Sequence, residues 1–230
     1  MSRTSCLILL SLLLMPGYAE TADKRNMTGK PPHASAYDGL LPAGMTPTPA
    51  SGFHPSQLRG ARVALVPSAN FNEWARAWER RFDENGEKFK VREERFRGYE
   101  YSSNPRNFSE RVTQALQPHV GEIFAAADLP EARQAGADYY LVVDGWLGTI
   151  TRWNMYFHAS GSVHLLDGNL QQLISAQGEA KVKYEEPSIL QAGSMRQAFA
   201  DNAERNSAQA IDEMSRQVVS GMQRHLAGSH

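Results

Sequence analysis

The feature that most constrains this chain is a pair of long stretches in which apolar and polar side chains alternate. In the first, Met155, Phe157, Ala159, Gly161, Val163 and Leu165 share one parity, while Asn154, Tyr156, His158, Ser160, Ser162 and His164 share the other. In the second, Ile174, Ala176, Gly178, Ala180, Val182 and Tyr184 alternate with Ser175, Gln177, Glu179, Lys181 and Lys183. A period of two sends the two sets to opposite faces of a strand. Both stretches are therefore predicted as half-buried strands, joined by a turn at Asp167-Gly168-Asn169 and closed by Pro187, with a bulge at Gly161.

A hairpin of this length has one apolar face to bury, and helical periods elsewhere supply the cover. From about Gly193 to Leu226, the residues Met195, Phe199, Ala203, Ala210, Ile211, Met214, Val218, Met222 and Leu226 form an apolar stripe on a long helix whose other face is polar. That helix is expected to lie over the sheet. A coiled-coil dimer through the same stripe is the competing reading, although Asn206 and Ser207 interrupt its seam. Upstream, Arg62-Val63-Ala64-Leu65-Val66-Pro67 reads as a buried strand. Asn107 is expected to cap a helix carrying Phe108, Val112 and Leu116 and stopped by Pro118, and Val120 to Phe124 follows as a short strand. Asp128, with Pro130 in the first turn, begins a brief helix that Gly136 can end, and residues 137–145 form a nearly continuous apolar strand. Strand, helix, strand in this order predicts an α/β fold: a layered sandwich of a mixed, largely antiparallel sheet with helices packed on its faces and a long C-terminal helix.

The N-terminus carries a different signal. Arg3 precedes an apolar run from Leu7 to Met15, interrupted only by Ser11, ended by Pro16-Gly17 and followed by Tyr18-Ala19-Glu20. The run is about half the roughly 20 residues needed to cross a bilayer, and Gly17 and Ala19 put small residues at the −3 and −1 positions of a cleavage site. Residues 1–19 are thus expected to be a signal peptide cut between Ala19 and Glu20, leaving no transmembrane helix. Cys6, the single cysteine, lies before the apolar run, so no lipid anchor is expected. A secreted chain without thiols cannot use disulfides and is held by its core, which fits a bacterial periplasm. Residues 20–58 are polar and rich in Pro and Gly, with Lys30-Pro31-Pro32 and Met45-Thr46-Pro47-Thr48-Pro49. They are expected to be an extended leader that is either mobile or laid across the domain, and that serves as a plain linker or as a partner-binding arm. The remaining residues, 59–228, read as one α/β domain with a charged aromatic insertion at about 70–104.

That insertion begins with Phe71, Trp74, Trp78 and Phe82, spaced three and four apart so that four rings share one side of a helix. They are read either as core packing or as an exposed aromatic groove, and Phe71, Trp74, Trp78, Tyr99 and Tyr101 are the candidate partner-binding residues. Lys88, Lys90, Arg92, Arg95 and Arg97 suggest a basic patch. From Phe71 to Glu100, however, eight basic residues meet eight acidic ones, and the whole chain has a formal net charge of −1. No nucleic-acid partner is expected on that balance.

The order of these elements carries a resemblance. The strand Arg62 to Pro67, a capped helix, a strand, then Ala132-Arg133-Gln134-Ala135-Gly136-Ala137-Asp138-Tyr139-Tyr140-Leu141-Val142-Val143-Asp144-Gly145, and Val163-His164-Leu165-Leu166-Asp167-Gly168 before a second long strand and a terminal helix, resemble bacterial envelope proteins akin to the curli secretion channel component and the outer-membrane activators of penicillin-binding proteins. The resemblance spans roughly residues 60 to 226. It implies an assembly, secretion or activator factor and not an enzyme. This chain departs from it in lacking the lipidated Cys and in carrying the segment Phe71 to Tyr101.

The search for chemistry returns absences: no His-Glu-x-x-His, no Gly-x-Ser-x-Gly, no phosphate-cradling Gly loop and no metal-spaced Cys. His158 and His164 share parity but stand roughly 20 Å apart along an extended strand, too far to share one ion unless the chain turns at Ser160-Gly161. Asp144 and Asp167 are assigned to strand ends, and Glu185-Glu186 to a solvated one. No catalytic residue, metal or cofactor is expected. The chain is expected to be a soluble periplasmic accessory protein that binds another envelope protein, with homo-oligomerisation as an additional possibility. The rival reading is a periplasmic enzyme acting on carbohydrate or peptidoglycan, with Trp74 or Trp78 stacking on sugar.

Overall fold

The two alternating stretches pair as β4 (Met155–Leu166) and β5 (Gln172–Lys183), antiparallel from Tyr156 opposite Lys183 to Leu166 opposite Gln172. The computed structural model describes residues 31–83, 104–151, 155–184 and 195–228. Ala19, Glu20, Tyr99, Tyr101 and Glu185-Glu186 lie outside them. The register irregularity of the hairpin falls between Leu165 and Leu166 and not at Gly161. At the turn, Asp167 Oδ1 accepts from the amides of Asn169 and Gln171, at 2.9 and 2.8 Å. The left-handed position is taken by Leu170, φ +63°. A Cβ there costs about 1 kcal/mol, which packing of the Leu170 side chain against the core helps to offset.

Strand β3 (Tyr139–Thr151) pairs antiparallel with β4 from Tyr140 opposite Leu166 to Thr151 opposite Met155, so it runs well past the end expected at Gly145. On its other side β3 pairs in parallel with β1 (Arg62–Pro67), which pairs in parallel with the four-residue β2 (Glu122–Ala125). The strand order is β2-β1-β3-β4-β5. Among the described residues, four α-helices complete the α/β fold: α1 (Ala69–Asp83), α2 (Pro105–Leu116), α3 (Leu129–Gln134) and α4 (Met195–Leu226).

The caps follow local chemistry. Asn104, not Asn107, caps α2, accepting from the Arg106 amide at 2.9 Å. Pro105 at the first helical position has its φ preset and no amide to satisfy, so the helix starts at once and Asn107 falls inside its first turn. Asp128 caps α3 as expected, accepting from the Glu131 amide at 2.8 Å, and Glu131 Oε2 in turn accepts from the Ala127 amide at 2.6 Å.

One face of the sheet is sealed by α1, α2 and α4. Val63, Leu141, Val143, Phe157, Ala159, Val163, Leu165 and Ile174 meet Trp74, Phe108, Val112, Met214, Val218 and Met222 there. Gly145, Gly161 and Gly178 stand opposite one another across β3, β4 and β5, forming a row of missing side chains under the helices. A Cβ on Gly145 would touch the Trp74 ring at 3.1 Å, one on Gly161 would strike the Met214 sulfur, and one on Gly178 would stand 2.5 Å from the Met214 carbonyl oxygen. The glycine that suggested a bulge is therefore needed for close approach of layers.

The opposite face is covered differently. Ala64, Val66, Tyr140, Val142 and Leu166 pack against Leu129 and Ala132 of α3 and against Ala36, Tyr37 and Leu41 of the leader. Of the two options open for that segment, residues 33–50 take the second and lie across the domain as a strap. The folded unit thus begins well before residue 59.

Candidate functional site

Where the strap crosses the carboxyl end of β1, polar side chains gather from five parts of the chain. Ser68, just after β1, is wholly buried and starts α1. Its Oγ accepts from the Phe71 amide at 3.0 Å and donates to Asp144 Oδ1 at 2.5 Å. Asp144, expected at a strand end, instead sits within β3, opposite Ser162. Asn70, also buried, donates to the same carboxylate oxygen at 3.1 Å. The rest of its amide grips the strap backbone. Asn70 Oδ1 accepts from the His33 amide at 2.8 Å, and Nδ2 donates to the His33 carbonyl at 3.3 Å. A side-chain amide here does what a neighbouring strand would do, satisfying the donor and the acceptor of one residue.

Three further contacts hold the strap. His33 Nε2 lies 3.2 Å from Glu73 Oε1 on α1. The Tyr37 hydroxyl donates to Gln172 Oε1 at 2.7 Å. The backbone of Gln172 bonds to Thr48 and Ala50 at 2.8 and 2.9 Å, a single parallel bridge at the start of β5. The Tyr37 ring covers His164, with centroids 5.1 Å apart and planes tilted by 50°. The ring nitrogens of His164 meet hydroxyls, Nε2 to Ser162 Oγ at 2.9 Å and Nδ1 to Ser175 Oγ at 3.2 Å. Burial holds the His164 imidazole below its usual titration range, with the charge of Asp144 and a hydrogen bond to Gln172 pulling the other way. Burial also pushes the Tyr37 phenol up to about 12. Perturbed groups under a covering segment mark this cluster as the candidate site. Its chemistry is that of holding a peptide: one backbone-reading amide, one ring slot and one backbone bridge.

The residues singled out in the sequence fall elsewhere. Phe71 and Trp74 are only 8% and 4% exposed and belong to the core on the helix face. Neither ring is available as a contact surface, and Trp74 cannot stack on a sugar from that position. Trp78 is half-buried and, with Trp74, Ala77, Trp146 and Leu147, lines a cavity of about 20 Å³, room for one water and no more. Tyr99 and Tyr101 lie outside the described residues. His158 is buried near Glu179, 2.9 Å away, and Glu179 also pairs with Lys181 at 2.7 Å. The hydrogen bond from Lys181 is the largest cause holding the Glu179 carboxyl below its usual range. His158 and His164 remain on one straight strand with separate partners. No group of three or more His, Cys, Asp or Glu among the described residues could hold a metal ion. A larger open groove of about 350 Å³ runs between α2 and α4, but its guanidinium groups are neutralised locally. Arg111 pairs with Asp212, and Arg216 with Asp212 and Glu213.

No protein-family profile matches the chain, and no curated protein matches it in sequence. Solved structures that it resembles include the hypothetical protein CT253 from Chlamydia trachomatis, 15% identical over 74% of this chain and 99% of that one, with a TM-score of 0.39. A PelC dodecamer from Paraburkholderia phytofirmans is 15% identical over 74% of this chain and 93% of that one, at 0.30. The lipoprotein GNA1162 from Neisseria meningitidis is 16% identical over 63% and 96%, at 0.25. Among the described residues no helix is long and apolar enough to cross a membrane.

Proposed function

We propose that this chain is a soluble periplasmic accessory protein, without enzymatic activity, that binds another cell-envelope protein in an assembly, secretion or regulatory role. The strap is its contact element. The observation that carries this reading is the turn Pro42-Ala43-Gly44-Met45. The Met45 amide bonds the Pro42 carbonyl at 2.9 Å, and Gly44 takes φ +81°, the signature of a type II turn. Buried Leu41 and Pro47 fix the turn on either side. Met45 at its end is 49% exposed, the one large apolar side chain so exposed among the described residues. A thioether on a pre-ordered turn is a low-entropy, adaptable anchor for an apolar pocket on a partner. The signal-like N-terminus supplies the compartment.

The test is affinity capture of the chain from Glu20 to His230 out of a crosslinked envelope extract, alongside Met45→Asp. One stoichiometric envelope protein should be retained by the parent chain and lost with the variant, while thermal melting of the two stays the same. Retention undiminished by Met45→Asp would remove the strap from the interface. Capture of no protein, with turnover of cell-wall glycan by the purified chain, would overturn the accessory role itself.

A further inference from the structure

We propose that residues 33–41 are a histidine-gated cover that lifts from the sheet on mild acidification, with His164 as the trigger and the Asn70 grip on the His33 backbone as the hinge. His164 lies under the Tyr37 ring, and the groups around it are Asp144 from β3, Ser162 on its own strand, Ser175 and Gln172 from β5, and Tyr37 from the strap. Of these only Asp144 and Tyr37 titrate. Asp144 is not in hydrogen-bond contact with the imidazole, and its Oδ1 is already held by Ser68 and Asn70. An imidazolium formed here would be shut off from water by the Tyr37 ring, with two hydroxyls and the Gln172 amide as its neighbours and no carboxylate bonded to it. Lifting the strap gives it water instead.

The sign follows from linkage. In the covered state His164 is held below its ordinary titration range, and in the uncovered state it recovers that range. The uncovered state therefore binds more protons, so covering is most favourable above about pH 6.5 and weakens as the pH falls below it. The His33 end is held by Asn70, whose side-chain amide bonds both the amide and the carbonyl of His33, so the Tyr37 end should lift while the His33 end stays.

The experiment uses a thiol as a reporter. In a Cys6→Ser background, Ala36→Cys places a single thiol in the apolar layer beneath the strap, and Ser51→Cys provides an exposed reference. The ratio of their labelling rates removes the intrinsic pH dependence of thiolate chemistry. From about pH 7.5 to about pH 5.5 the ratio should rise by about three- to tenfold. With His164→Gln it should stay flat. Hydrogen exchange of the peptide 33–41 in the unsubstituted chain, corrected for intrinsic rate, should show the same rise without any introduced residue. A ratio and an exchange rate that do not change with pH would overturn the proposal, as would a rise that persists in His164→Gln.

Discussion

The two faces of one sheet are sealed on different principles. On the helix face, closure is apolar and dense: three helices sink onto β3, β4 and β5 because Gly145, Gly161 and Gly178 leave a row without side chains for Trp74, Phe108 and Met214 to fill. On the strap face, a segment too rich in Pro and Gly to form a strand or helix is held by a few directed bonds, from Asn70, Gln172 and Glu73, around a small apolar plug. Apolar closure depends on area and volume and is cooperative across the domain. Closure by discrete bonds can be undone one bond at a time. The first kind gives the molecule its stability, and the second gives it a part that can move on its own.

The largest test of this contrast is Phe108→Ala. That fully buried ring leaves a cavity at the centre of the helix face, and the loss of global stability in urea unfolding should be about 4 kcal/mol. Next in size is a pair of glycine substitutions. In Gly178→Ala the new methyl meets the Met214 backbone carbonyl at 2.5 Å, so the whole of α4 must shift, at a cost of about 3 kcal/mol. In Gly161→Ala the nearest atom is the Met214 sulfur, and a thioether can swing aside, so about 1 kcal/mol is expected. Equal costs would mean that the helix floats over the sheet more freely than the glycine row implies. The smallest global effect belongs to the strap. Asn70→Ala removes both bonds to the His33 backbone and should lower exchange protection of residues 33–41 by the equivalent of about 2 kcal/mol, with little change in the urea midpoint. A matching fall in global stability would erase the distinction between the two faces.

Much of the helix face could be read in the sequence because it obeys periods. The alternation in β4 and β5 and the apolar stripe of α4 are what burial against a flat neighbour imposes, and Asp128 with Pro130 spells the start of α3. The errors there came from glycine and proline chemistry. Gly145 suggested a strand end and Gly161 a bulge, when both positions make room for a layer. Pro105 pointed to the true start of α2, where Asn104 is the cap. The strap face was largely illegible. Its Pro and Gly content correctly argued against regular structure, but docking depends on His33, Tyr37 and Leu41, whose spacing of four gives no helix signal when one of them is polar and Gly39 stands among them and Pro42 beside them. The cluster beneath it draws Ser68 and Asn70 from the start of α1, Asp144 from β3 and His164 from β4, and no spacing in the chain records that these three elements meet. The aromatic stripe was legible as a helix, but amphipathicity alone does not distinguish a face turned toward a core from one turned toward a partner.

The position of the strap along the chain fixes when it can close. It is the first described segment to be synthesised, yet its anchors lie far downstream. Asn70 comes early, His164 much later, and Gln172 only as β5 begins. The hairpin of β4 and β5 is nearly local and can pair as soon as it exists, whereas the strap has to wait until that hairpin stands beside β3. The earliest part of this molecule to be made is thus the last to settle. During that interval its scarcity of apolar residues keeps it soluble, and the surface it will cover is open to whatever arrives first.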